Sequence, residues 1–206
     1  MTNQPLLIAT SNPGKLRELR SLLADLPFDL IGLTDLSNIQ TVDEHSSTFI
    51  ENATLKAVGY AAQARVLTLA DDSGLEVDAL GGAPGVRSAR YVDPSASYAD
   101  RIRILLHQVE KTGDSSRTAR FVCAVAVAAS EANILYVTQK TCEGRLAESP
   151  RGKGGFGYDP IFIPEHYDQT FGELPAEIKN QISHRGVALS AVREFLASLT
   201  TPRNGG

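Results

Sequence analysis

Apolar positions along this chain fall into unbroken short runs and into recurrences every third or fourth residue, and each change of spacing marks a new element. Residues 5–10 form a short apolar run, read as a buried strand. Leu16, Leu19, Leu22, Leu23 and Leu26 then recur at helical spacing. Between them, Asn12 suits the N-cap of that helix and Pro13 its first position, where a missing N–H costs nothing. Residues 28–33 predict a second strand, and residues 34–47 a polar loop carrying Asp43 and Glu44. Thr48, Phe49, Ile50 and Glu51 have the pattern of a capping box, opening a helix to about Ala64 with Phe49, Ala53, Ala57, Tyr60 and Ala61 along its buried side. Asn52 and Lys56, four apart, share one of its faces. The apolar residues 66–69 lead into a third strand bearing Asp71 and Asp72, and residues 81–85, Gly-Gly-Ala-Pro-Gly, mark a loop. Ile102, Leu105, Leu106 and Val109 predict a third helix ending near Lys111. Residues 117–129 and 134–141 are rich in β-formers and predict an antiparallel hairpin. A glycine-rich loop over 151–159, a short strand over 160–163 and a last helix over 183–199, with Leu189, Val192, Phe195 and Leu196 inward, complete the reading. It is an α/β pattern without repeats, read as a single α/β domain over residues 1–199 followed by a flexible C-terminal tail, 200–206.

The chain of 206 residues is long enough to bury a substantial core. Its formal charge of −4, with acids and bases interspersed, offers no basic stripe for a nucleic-acid backbone, so no nucleic-acid partner is expected. A small phosphorylated ligand needs only a few local cations and remains compatible. Cys123 and Cys142 sit in apolar runs and are read as reduced, buried thiols. No stretch approaches the ~20 apolar residues of a membrane span, and the N-terminus lacks a basic-then-apolar signal pattern. A cytoplasmic protein without a membrane partner is expected.

Three places hold residues suited to chemistry. Asp71 and Asp72, followed by Ser73 and Gly74, set two carboxylates side by side, as metal-binding or proton-transfer sites do; Asp-Ser-Gly is equally ordinary turn chemistry. Only one of the two carboxylates can face a given cleft if the strand continues through them. Thr10, Ser11, Asn12, Pro13, Gly14 and Lys15 place a glycine, a lysine and the N–H groups of a helix start together, which suits a phosphate chain. This is not a Walker loop, because Ala9 and Leu16 stand where that motif needs Gly and a hydroxyl residue. The alternative is a capped helix with a solvated lysine. Gly154 to Pro160 present Phe156 between glycines, a surface for a stacked purine or a turn that closes the core. Ser183, His184 and Arg185 add donors, with Lys179 upstream, and Asp43, Glu44 and Glu51 add carboxylates.

Together these segments resemble the motif series of the inosine/xanthosine triphosphate pyrophosphatase family. The matching blocks are residues 10–15, 48–53 with Lys56, 70–74, 82–86 with 88–91, 155–162 and 183–185, in that family's order and across almost the whole chain. The resemblance implies an elongated mixed β-sheet flanked by helices, in two lobes with an active-site cleft between them. It also implies a Mg²⁺ requirement, a homodimer, and hydrolysis of dITP, ITP and XTP to monophosphate and pyrophosphate. By position, Thr10, Ser11, Asn12, Pro13, Gly14 and Lys15 would bind the triphosphate, with Lys56, Ser73 and Lys179 as further substrate contacts. Asp72 would be the general base and a metal ligand, with Asp43 or Glu44 as the second. Phe156, Gly157, Tyr158 and Asp159 would line the base pocket, and His184 with Arg185 would read the base. The segment 42–45, Arg87 and Ile178 depart from the family's usual residues. The alternatives are phosphoryl transfer to an acceptor, a septum-associated pyrophosphatase acting on modified pyrimidines, and a nucleotide-binding protein without catalysis.

Overall fold

A computed structural model describes residues 3–200. Through them runs a mixed six-stranded sheet in the order β2-β1-β3-β4-β5-β6. The strands are β1 (Gln4–Ile8), β2 (Phe28–Gly32), β3 (Leu67–Val77), β4 (Thr118–Ala128), β5 (Ile134–Leu146) and β6 (Phe162–Pro164). The helices are α1 (Pro13–Leu23), α2 (Phe49–Ala64), α3 (Tyr98–Thr112), α4 (Ala176–Ile182) and α5 (His184–Thr200). β1 pairs in parallel with β2, Leu6 opposite Leu30, and with β3, Leu6 opposite Leu67. Parallel neighbours need a crossover, and α1 and α2 supply the two. Covered on both faces, Leu6, Leu7 and Ile8 of β1 are all buried, without alternation. β5 and β6 are antiparallel, with Arg145 opposite Ile163.

The chain divides into two compact units. One comprises residues up to Asp72, Ala124–Gln139 and those from Gly186; the other comprises Ser73–Cys123 and Lys140–Arg185. In the first, Leu6, Leu19, Leu23, Leu69, Leu189 and Val192 are among the fully buried side chains. Arg193 of α5 donates to Leu22 O at 2.5 Å and forks onto both Asp25 oxygens at 2.5 and 2.6 Å, tying α5 to the end of α1. In the second unit Leu75, Leu105, Phe121, Phe162 and Phe171 anchor the core. Phe121 lies 4.6 Å from Phe162, ring centre to ring centre.

Local sequence rules account for α1 and α2. Asn12 Oδ1 accepts from the N–H groups of Gly14 at 2.8 Å and Lys15 at 3.2 Å, and Thr48 Oγ1 accepts from Glu51 N–H at 3.3 Å. The capping box closes on one side only. Ser46 Oγ accepts from Thr48 N–H, and Glu51 takes the Ser46 hydroxyl instead.

Elsewhere tertiary structure extends or moves the expected elements. β3 carries Asp71 and Asp72 as expected and runs on to Val77, which excludes the turn reading of Asp71–Gly74. β5 reaches Leu146, past the expected 141, because β6 pairs with its last three residues. Asp159–Ile161 form a 3-10 turn, so the strand expected at 160–163 begins at Phe162. α4 was not legible: its seven residues carry too few apolar positions to show a period. Thr200 of the expected tail closes α5, and residues 201–206 lie outside the described residues. Both cysteines are free and buried, and burial pushes the Cys142 thiol up to about 12. No described helix is long and apolar enough to cross a membrane.

Candidate active site

The first group of candidate residues is built on the ends of β1 and α1, the middle of β3, one face of α2 and the loop before it. Alternation along β3 sends its two carboxylates to different helices. Asp71 Oδ2 meets the Lys15 ammonium of α1 at 3.0 Å, and Asp72 Oδ1 lies 3.6 Å from the Lys56 ammonium of α2. Asp71 and Asp72 are 1% and 5% exposed, so neither charge is relieved by bulk water. Lys15 is therefore an inward, paired cation, and the solvated-lysine reading fails. Glu44 reaches Lys56 at 3.0 Å, so one ammonium faces both Glu44 and Asp72. Asp43 is exposed and forms no ion pair among the described residues. Of the two expected metal-side acids, the fold brings in Glu44.

Three carboxylates around two ammoniums set the protonation equilibria. Burial raises the Asp72 pKa, aided by Glu44 and Asp71 and opposed by Lys56 and Lys15. Burial by itself would lower Lys56, but Asp72, Asp71 and Glu44 together outweigh it and raise the lysine. Asn52 completes the group, its amide donating to Asp72 Oδ2 at 3.1 Å. The helix start behaves differently from expectation: the N–H groups of Gly14 and Lys15 are already taken by Asn12, and Thr10 Oγ1 accepts from Asn12 N–H at 3.2 Å. A strong cap closes its own donors, so an anion here meets the Lys15 ammonium and the helix dipole rather than those two N–H groups.

No group of three or more His, Cys, Asp or Glu gathers as a metal cage among the described residues. Mg²⁺ does not need one, since it binds through one or two carboxylates plus water and substrate phosphates. Glu44 and Asp72, hard oxygen donors beside the same ammonium, fit that requirement.

The second group lies within the other unit. Phe156 is half-buried, with the Lys179 ammonium 5.0 Å and the Arg185 guanidinium 5.7 Å from its ring centre. Asp159 pairs with Lys179 at 2.5 Å and accepts from Phe156 N–H at 2.7 Å, so one buried carboxylate holds both the cation and the loop. Gly155 allows this: its φ is +68°, and a Cβ there would lie 2.0 Å from Asp159 Oδ2. Arg185 donates to Ser73 Oγ at 2.7 Å. His184 is buried and stacks on Phe121, 4.6 Å between centres and 11° between planes. Tyr158 turns into the core, its hydroxyl donating to Ser88 O at 3.1 Å and its ring edge-on to Tyr98. Of the expected pocket-lining residues, Phe156 and Gly157 are partly exposed, while Tyr158 and Asp159 are 3% exposed and support them from behind. Ile178, one of the departures from the family pattern, packs against this core.

Sequence reasoning placed Asp71 only as half of a carboxylate pair and Asn52 only on the face of Lys56, and gave neither a role of its own. The signal was a buried-face polar residue four before Lys56, and a carboxylate whose partner on α1 sequence spacing could not reveal.

A model for the Ham1 family matches residues 6–195 of the chain. The chain is 46% identical over 189 residues to the dITP/XTP pyrophosphatase of Geobacillus kaustophilus, covering 92% of each. It is 47% identical over 184 residues to the dITP/XTP pyrophosphatase of an Exiguobacterium strain, covering 89% of this chain and 92% of the relative. The structure of a HAM1 protein from Coxiella burnetii superposes with a TM-score of 0.86 at 42% identity, over 95% of this chain and 99% of that one.

Proposed function

From a chain that belongs to the Ham1 family, we propose hydrolysis of non-canonical purine nucleoside triphosphates (dITP, ITP and XTP) to the monophosphate and pyrophosphate. The names of its relatives support this and do not favour the septum-associated alternative. The observation that carries the mechanism is the buried Asp72, set between the Lys56 ammonium and the Asn52 amide. Mg²⁺, when bound by Glu44 and Asp72, polarises phosphoryl oxygens and lowers the pKa of water. Asp72, its own pKa raised by burial, takes the proton of the water attacking the α-phosphorus, and the α–β bridging bond breaks toward pyrophosphate. Lys15 and the start of α1 meet the charge that gathers on that leaving group, and Lys56 meets charge on the triphosphate. Phe156 offers a face for the base, and the donors of Lys179 and Arg185 suit a 6-oxo purine. A 6-amino group would face donors, which is how a hydrogen-bonding site rejects an analogue by roughly 10⁴-fold.

The proposal extends to Mg²⁺ as the metal, a homodimer, a cytoplasmic location and one domain over 1–199. The free, buried cysteines support a reducing compartment. The chain passes between its two units at 72/73, 123/124, 139/140 and 185/186, which supports one domain rather than two in series. A product assay across dITP, ITP, XTP and ATP tests the function. Pyrophosphate from the deaminated purines with ATP nearly inert is expected; orthophosphate as the product, or equal rates with ATP, refutes it.

A further inference from the structure

A carboxylate on a short side chain turns readily about its last torsion, which is broad and nearly two-fold, so a buried Asp does not by itself decide which oxygen acts. At Asp72 that decision falls to Asn52. This side chain is fully buried, and its amide makes three hydrogen bonds. Nδ2 donates to Asp72 Oδ2 at 3.1 Å and to Ser46 O at 3.2 Å, while Oδ1 accepts from Ser46 N–H at 2.9 Å. The orientation of the amide follows from its partners. An ionised carboxylate only accepts and the Ser46 N–H only donates, so a flipped amide would set oxygen against oxygen at Asp72 and N–H against N–H at Ser46. With Oδ2 held by Asn52, Oδ1 is the oxygen left facing Lys56.

The same amide controls the acidic loop. Glu44 lies in a segment without helix or strand, tied to α2 through Gln40 on Gln63, Val42 on the Tyr60 hydroxyl, Ser46 on Asn52 and Glu51, and Glu44 itself on Lys56. Among these ties, the one from Asn52 holds the backbone of Ser46, two residues from Glu44, and it alone joins the loop backbone to a side chain that hydrogen-bonds Asp72. One side chain thus holds both an oxygen of Asp72 and the backbone of the loop that brings Glu44 to the same ammonium.

We propose that Asn52 is the positioning residue of the Glu44–Asp72 pair, holding the two carboxylates in the mutual geometry that metal binding and water activation require. The proposal rests on the reading of Asp72 given above. Outer partners that orient metal-binding carboxylates typically contribute 10–100-fold in metal affinity or activity. In Asn52→Ala, with no contact to the phosphate-binding Lys15 removed, kcat for ITP is expected to fall about 10–100-fold with KM within about threefold. Mn²⁺ binding to the nucleotide-free protein, read by electron paramagnetic resonance, should weaken about tenfold or more. In the Asn52→Ala/Asp72→Asn double variant the two losses in kcat should not add, since Asn52 acts through Asp72. If the alanine chain does not fold by circular dichroism, Asn52→Ser, which retains a small polar group, carries the same comparison. A kcat within threefold of the parent, an unchanged Mn²⁺ constant, or additive losses each overturn the proposal. Full turnover by Asp72→Asn alone refutes instead the reading of Asp72 on which it rests.

Discussion

Asp72→Asn should separate catalysis from stability in opposite directions. The substitution keeps the shape of the side chain, and its new carboxamide oxygen can still accept from Asn52. It removes one of three negative charges around two ammoniums, yet leaves Lys56 its 3.0 Å partner Glu44 and Lys15 its 3.0 Å partner Asp71. The fold therefore loses only the 3.6 Å contact between Lys56 and Asp72, and each ammonium keeps a carboxylate. On the proposed role of Asp72, turnover should fall, because a carboxamide cannot take a proton. Loss of a general base typically lowers kcat by about 10²–10⁴-fold, or roughly 2.7–5.4 kcal/mol of transition-state stabilisation. Stability moves the other way. Burial raises the Asp72 pKa, so folding favours its protonated form: that favourable contribution is complete below the unfolded pKa and is lost as pH rises through the folded one. Wherever Asp72 is ionised, the parent carries a buried charge, disfavoured by desolvation, that the variant lacks. Steady-state turnover of ITP and thermal melting at pH 7 and at pH 5 test both halves. The variant should melt at or above the parent temperature at pH 7, with the difference shrinking toward pH 5. Turnover within threefold of the parent refutes the assignment of Asp72, and a lower melting temperature at pH 7 refutes the argument from burial.

Lys15→Met keeps the aliphatic stem but leaves the fully buried Asp71 side chain without its 3.0 Å ammonium, so the melting temperature should fall while KM for ITP rises; unchanged values of both would return Lys15 to an ordinary surface lysine. Asp25 is held down to about 2, chiefly by its hydrogen bond with Arg193. Its contribution to stability is present above its ordinary 3.8 and lost as pH falls through about 2, so Asp25→Asn should melt below the parent at pH 7 and converge with it in acid. A melting difference that persists at pH 2 contradicts this sign.

How much of the molecule its sequence determines follows the range of each interaction. Asn12, Pro13 and Thr48 act on groups two or three residues away, so α1 and α2 begin where the sequence places them. The motif blocks likewise identified the family, because residue types at short spacing survive as a pattern whatever the fold does between them. Distant partners decided the rest. β5 is long because β6 returns to pair with it, and β3 runs through Asp71 and Asp72 to Val77, beyond its last pairing with β1 at Leu69. Sequence also left Asp43 and Glu44 equivalent; the loop tied to α2 by Asn52 and Tyr60 brings in Glu44 and leaves Asp43 in solvent. Asn52 meets Asp72 across 20 residues, and Arg185 meets Ser73 across 112. A carboxylate's charge is written in the sequence, but its proton affinity depends on burial and on which charges packing brings near it, and for Asp72 only the tertiary structure supplies those.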